Sequence, residues 1–133
     1  MDVFAKLRDL RILLIDDDEW IRDAMSLFFE DEGCNLVALE TAEEGMDAIR
    51  KQAFDIIIVD YRLPGMDGLT FFEKMQKTDH KTIKILITAY GGKDVSLKAK
   101  QLGIDDVIDK PFTTETIEKV LFFLIERGGR NAN

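Results

Sequence analysis

The chain has 133 residues, 46% of them hydrophobic and 33% charged, a balance that suits one soluble domain with its own core. Lys and Arg total 18 against 26 Asp and Glu, giving a net charge of -8, which argues against direct nucleic-acid binding by this segment because phosphates would repel it. A single cysteine, Cys34, excludes an internal disulfide and a cysteine zinc site; without a secretory h-region or an apolar run of bilayer-spanning length, the expected setting is a reducing cytoplasm with no membrane contact.

Residues 1–10 read as an N-terminal extension in which Val3, Phe4 and Leu7 form a helical turn. The domain proper is expected over 11–127. Strands are predicted near 11–16, 34–39, 55–60, 82–88 and 104–109 from short runs dense in Ile, Leu and Val, such as Ile12 to Ile15 and Ile56 to Val59. Continuous rather than alternating apolar runs are the mark of strands buried on both faces, as in parallel sheets. Helices are predicted near 18–32, 42–52, 66–77, 92–102 and 113–127; the second of these follows Thr41-Ala42-Glu43-Glu44, a capping-box pattern. In the last one Ile117, Val120, Leu121 and Leu124 form a core stripe, and Phe122 falls off it, either exposed to a partner or covered by a neighbouring element such as an N-terminal helix. The polar, Gly-rich residues 128–133 read as a flexible tail or the start of a linker. Strict alternation of strand and helix with short connections implies an α/β fold, a five-stranded parallel sheet with helices on both faces; of the two common doubly wound orders, five strands in one short domain favour the flavodoxin-like 2-1-3-4-5.

Polar residues gather where these strands end: Asp16-Asp17-Asp18 after the first, Asp60 at the third, Thr88 at the fourth and Lys110 past the fifth. In a parallel sheet all of these ends share one edge, the ligand-binding edge of open α/β sheets. Strand 2 lacks such a residue, as its outermost place in the predicted order explains. Clustered carboxylates raise one another's pKa unless a cation neutralises them, and oxygen donors without His or Cys favour Mg²⁺. Asp60 is then the candidate nucleophile for a phosphoryl group, with Lys110 and the Thr88 hydroxyl on the remaining oxygens. Taken singly, each feature has a plainer reading: Asp16 to Glu19 as an N-cap and acidic first turn, Thr88 as a strand-end hydroxyl, Lys110 as a solvated charge. Their positions at successive strand ends favour the site.

Four segments together resemble the bacterial two-component receiver family: Ile12-Leu13-Leu14-Ile15-Asp16-Asp17-Asp18, Ile57-Ile58-Val59-Asp60-Tyr61-Arg62-Leu63-Pro64-Gly65-Met66-Asp67-Gly68, Ile87-Thr88-Ala89 and Asp109-Lys110-Pro111-Phe112. The resemblance implies that Asp60 is the phosphoacceptor, that Asp17, Asp60 and the Arg62 backbone carbonyl bind Mg²⁺, and that Asp16 assists through water. It makes Thr88 the switch hydroxyl, Lys110 the phosphate-sensing ammonium, and the Lys110-Pro111 bond cis. The implied donor is a sensor histidine kinase or a histidine phosphotransfer protein. The surface of the fourth helix, fifth strand and fifth helix would form a homodimer or meet an output module. One departure stands out, since Val107 occupies a position where many relatives carry Tyr or Phe, so the readout has no ring to re-pack. Arg62 and Tyr90 flank the path of an attacking water in the family geometry and are expected to slow hydrolysis of the phosphoaspartate.

The expected function is therefore a signalling switch that catalyses only its own phosphorylation and dephosphorylation, not an enzyme acting on other substrates. Two alternatives belong to other classes. A pseudo-receiver would keep the fold as an interaction module without phosphorylation. A phosphatase of the haloacid-dehalogenase type would need a second acid two residues after its nucleophile, as Asp16-Asp17-Asp18 superficially offers, and a cap domain; the short connections leave no room for a cap, and Asp60-Tyr61-Arg62 lacks the second acid.

Overall fold

The computed structural model describes residues 2–75, 81–89 and 91–131, and their order of elements is α1 (Val3–Leu7), β1 (Arg11–Ile15), α2 (Glu19–Asp31), β2 (Asn35–Leu39), α3 (Ala42–Lys51), β3 (Ile56–Asp60), α4 (Gly68–Met75), β4 (Ile83–Thr88), α5 (Lys93–Gln101), β5 (Asp106–Asp109) and α6 (Thr114–Asn131). All five strands are parallel, in the order β2-β1-β3-β4-β5, as expected.

The continuous apolar runs are explained by the sheet having two covered faces. Successive side chains of a strand point to opposite sides. Ile12, Leu14, Ile56, Ile58, Ile85 and Ile87 enter one core with residues of α1, α2 and α6, while Leu13, Ile15, Ile57, Val59 and Leu86 enter the other with residues of α3, α4 and α5. Burying each such side chain contributes roughly 1.5–3 kcal/mol, so the central strands β1, β3 and β4 anchor the domain. The outermost strands β2 and β5 are only half-buried.

Helix starts follow local chemistry. The Asp18 carboxylate accepts from Trp20 N at 2.9 Å to cap α2, and Thr41 with Glu44 forms the expected capping box at α3. Ahead of α4, Asp67 Oδ1 accepts from Thr70 N at 2.8 Å. These bonds satisfy donors that have no partner within the helix.

The N-terminal extension is part of the core. Asp2 caps α1, and Val3, Phe4 and Leu7 are all buried; Phe4 meets Phe28 of α2 edge-to-face, with ring centroids 5.6 Å apart. At the other end the backbone stays helical to Asn131, past the predicted end near 127 and into the stretch read as a tail. No proline interrupts it, and a glycine within a helix costs only about 1 kcal/mol relative to alanine. Ile117, Leu121 and Leu124 are buried as the stripe requires. Phe122 is 40% exposed and lines, with Asp2 and Val3, a cavity of about 250 Å³ between α6 and the start of α1. Its neighbour Phe123, not singled out by the stripe, is the more exposed at 58% and carries the Arg127 guanidinium 5.5 Å above its ring.

Candidate functional site

At the carboxyl edge of the sheet, β1, β3 and the turn after β5 bring side chains together at one point, and β4 ends beside them. The acidic triplet is divided among three roles. Asp16 is fully buried and faces inward, Asp17 is exposed, and Asp18 caps α2. Asp16 is fastened on several sides: its Oδ1 accepts from Asp18 N at 2.9 Å, its backbone N donates to Leu39 O at 3.1 Å, and its backbone carbonyl accepts from Arg22 Nη1 at 2.9 Å. Arg22 was not legible from the sequence, because a helix-borne cation has no periodic tie to a strand-end carbonyl.

Asp60 closes β3, the strand buried throughout, and is itself buried. Lys110 Nζ stands 3.1 Å from Asp60 Oδ2, to which it donates a hydrogen bond, and 3.2 Å from Asp16 Oδ2. Its alignment on Asp16 is not that of a hydrogen bond, so Asp16 Oδ2 is buried with a charge beside it and no hydrogen-bond partner. Carboxylate oxygens of Asp16, Asp17 and Asp60 lie within 4.8 Å of one another.

The electrostatics follow from this packing. Burial, reinforced by the charge of Asp60, pushes the Asp16 carboxyl up to about 6, against the pull of the Asp18 amide and Lys110. Burial also raises Asp60, although Lys110 and the Arg62 backbone amide draw it back. For Lys110, burial acts to lower the pKa, but the attraction of Asp16 and Asp60 outweighs it and the ammonium is held more firmly than usual. One cation therefore serves two buried carboxylates. An all-oxygen donor set with excess negative charge and an unsatisfied buried oxygen fits a hard divalent cation.

Thr88 is fully buried at the end of β4, and its carbonyl accepts from Lys110 N at 2.8 Å, tying the fourth and fifth strand ends together. The Lys110-Pro111 bond is cis. Arg62 is exposed at the start of the loop after β3, with its guanidinium 5.7 Å from the Tyr61 ring centroid. Tyr90 lies outside the described residues. Val107 is half-buried against the core shared by α3, α4 and α5 and pairs in register with Leu86. Cys34 is buried and burial raises its thiol, in keeping with an inert side chain.

The loop after Asp60 is held from several directions. Tyr61 N donates to Ile87 O at 2.7 Å, and Gly68 N donates to Tyr61 O at 2.9 Å. Gly68 packs so closely that a Cβ there would lie 2.5 Å from the Asp60 backbone oxygen. Met66 N donates to Glu43 Oε2 at 3.1 Å. Nothing in the sequence ties Glu43 to a loop 23 positions away.

Comparison with known proteins agrees with the fold. The family model described as the response regulator receiver domain matches residues 12–122. The chain is 31% identical over 107 residues to sporulation initiation phosphotransferase F of Bacillus subtilis, covering 80% of this chain and 86% of that protein. It is also 31% identical over 106 residues to the uncharacterized transcriptional regulatory protein YkoG of the same organism, of which it spans 46%. In structure it is similar to a CheY-like response regulator receiver domain protein from Methanospirillum hungatei JF-1, with a TM-score of 0.86 and 29% identity, covering 92% of this chain and 98% of that one.

Proposed function

Because the chain belongs to the response regulator receiver domain family, we propose that it is a phosphoacceptor switch, taking a phosphoryl group from a histidine kinase or histidine phosphotransfer protein onto Asp60 in a Mg²⁺-dependent reaction. The observation that carries this reading is the buried Asp60 carboxylate, bonded to Lys110 and grouped with Asp16 and Asp17 at one sheet edge. Asp16, Asp17, Asp60 and the Arg62 backbone carbonyl would hold the metal. When bound, Mg²⁺ supplies charge neutralisation for the carboxylates and for the phosphoryl oxygens.

In the transfer, a carboxylate oxygen of Asp60 attacks phosphorus, an O–P bond forms, and the P–N bond to the donor imidazole breaks. The imidazole nitrogen that loses phosphorus keeps the electron pair and takes a proton, leaving neutral histidine. Lys110 is already poised at Asp60 and follows the new negative charge, while the Thr88 hydroxyl takes another phosphoryl oxygen. Hydrolysis reverses the modification when water attacks phosphorus and expels the carboxylate.

Two features support the partner side of the reading. Beside the acceptor lies a groove of about 640 Å³ lined by Trp20, Ile21, Ala24, Pro111 and Phe112 among others, with Trp20 85% exposed. Such a surface suits a protein donor that must bring its histidine to a recessed aspartate. On the far side of the site, α5 begins shortly after Thr88, and Ala99 is its only buried residue. Lightly anchored elements shift at small cost, so α5 is the element that moves and the surface it shares with β5 and α6 carries the readout, with Val107 re-packing where an aromatic ring is usual. A homodimer or an output module are the partners this surface would take.

No described helix is long and apolar enough to cross a membrane, and a cytoplasmic site of action belongs to this same reading. The chain spans less than half of some of its curated relatives, 46% of YkoG and 38% of the transcriptional activator protein PfeR of Pseudomonas aeruginosa.

Intact-mass spectrometry after incubation with acetyl phosphate and Mg²⁺ tests the proposal. A single phosphoryl adduct is expected, abolished by EDTA and by Asp60→Asn. Absence of both the adduct and beryllofluoride binding would refute it in favour of an unphosphorylated interaction module.

A further inference from the structure

Residues 61–67 link the acceptor to α4, and their conformation sets where the Arg62 carbonyl stands relative to Asp60. Bonds within and next to the loop come from backbone atoms of Tyr61, Ile87 and Gly68 and from the Asp67 cap. A side chain from a separate helix also hydrogen-bonds to it: Glu43, in the first turn of α3, accepts from Met66 N at 3.1 Å. The neighbouring Gly65 has φ +78°, and a Cβ there would come 2.7 Å from Glu43 Oε2. Gly65 thus supplies both the left-handed turn and the space the carboxylate occupies.

We infer that Glu43 is a positioning residue for the phosphoacceptor site, latching the loop after Asp60 to α3 so that the Arg62 carbonyl oxygen is pre-set for the divalent cation. This rests on the Mg²⁺-dependent reading above and adds a residue to it. A carboxylate accepting from a backbone amide makes a charge-assisted bond, stronger than a neutral one. The bond is exposed to solvent, so its loss loosens the loop without unfolding the domain, since water can solvate the released amide. Pre-organisation of this kind appears as affinity, because a loop already in place loses less freedom when the cation arrives.

The test compares wild type, Glu43→Ala and Glu43→Gln by calorimetric Mg²⁺ titration, by amide hydrogen exchange at Met66 in metal-free protein, and by thermal melting. Glu43→Ala is expected to weaken Mg²⁺ binding about three- to tenfold, the scale of one hydrogen bond, and to speed exchange at Met66 while melting cooperatively. Glu43→Gln retains an acceptor oxygen and is expected to restore both within about twofold. Unchanged Mg²⁺ affinity in Glu43→Ala, with wild type binding the metal, overturns the latch alone. So does a Glu43→Gln variant as impaired as the alanine one. A wild-type chain that binds no Mg²⁺ overturns the parent reading together with the latch, and the wild-type titration separates the two failures.

Discussion

Replacing Asp16 with asparagine should stabilise the metal-free protein and cripple its metal binding. Asp16 is fully buried and its carboxyl is raised from 3.8 to about 6, chiefly by burial. The folded state therefore holds this proton better than the unfolded chain does. Below pH 3.8 the group is neutral in both states and costs nothing; between 3.8 and about 6 the penalty grows; above 6 it is complete. At about 1.4 kcal/mol per pH unit, the full penalty is roughly 3 kcal/mol, so asparagine, which keeps an oxygen for the Asp18 amide but loses the Lys110 ion pair, should gain about 1–3 kcal/mol at pH 7.5. Urea unfolding followed by far-UV circular dichroism in EDTA at pH 7.5 and 4.5 reads this directly. By the same linkage the gain should be smaller at pH 4.5 than at pH 7.5 by about 2 kcal/mol. Saturating Mg²⁺ should reverse the ranking by stabilising wild type and not the variant. An equal effect at both pH values, or a loss of stability at pH 7.5, would refute the account of Asp16 as a carboxylate held at a cost for a cation.

Gly68→Ala forces a Cβ to within 2.5 Å of the Asp60 backbone oxygen; the strand end must shift, with an expected loss of about 1–3 kcal/mol and of phosphoryl uptake by mass spectrometry. Phe4→Ala removes a buried ring from the contact with Phe28 and should cost about 3 kcal/mol or more in denaturant unfolding, while phosphorylation of the folded fraction is retained. Replacing Arg62 and Tyr90 together with small residues should speed loss of the phosphoryl adduct after the donor is removed; an unchanged decay rate counts against their shielding role.

How the sheet would be built was legible because its causes are local or periodic. Ile56 to Val59 reads as a strand buried on both faces, and the structure divides it by parity, Ile56 and Ile58 to one core, Ile57 and Val59 to the other. Thr41 and Glu44 announce a helix start through a bond three residues long. Parallel strands put the ends carrying Asp16, Asp60, Thr88 and Lys110 on one edge, and the small number of strands favoured the order that the structure has. Tertiary structure decided the rest. A run of three aspartates carries no internal sign of which one turns inward. That choice came from the direction in which β1 ends and α2 begins, burying Asp16, exposing Asp17 and giving Asp18 to the helix. The same holds for Lys84, a charge inside an apolar run that the fold buries, and for the bonds of Arg22 to Asp16 and Glu43 to Met66. Each joins residues of different elements with no shared period. Periodicity reports the face a residue presents, whereas the partner that fills that face depends on how whole elements pack.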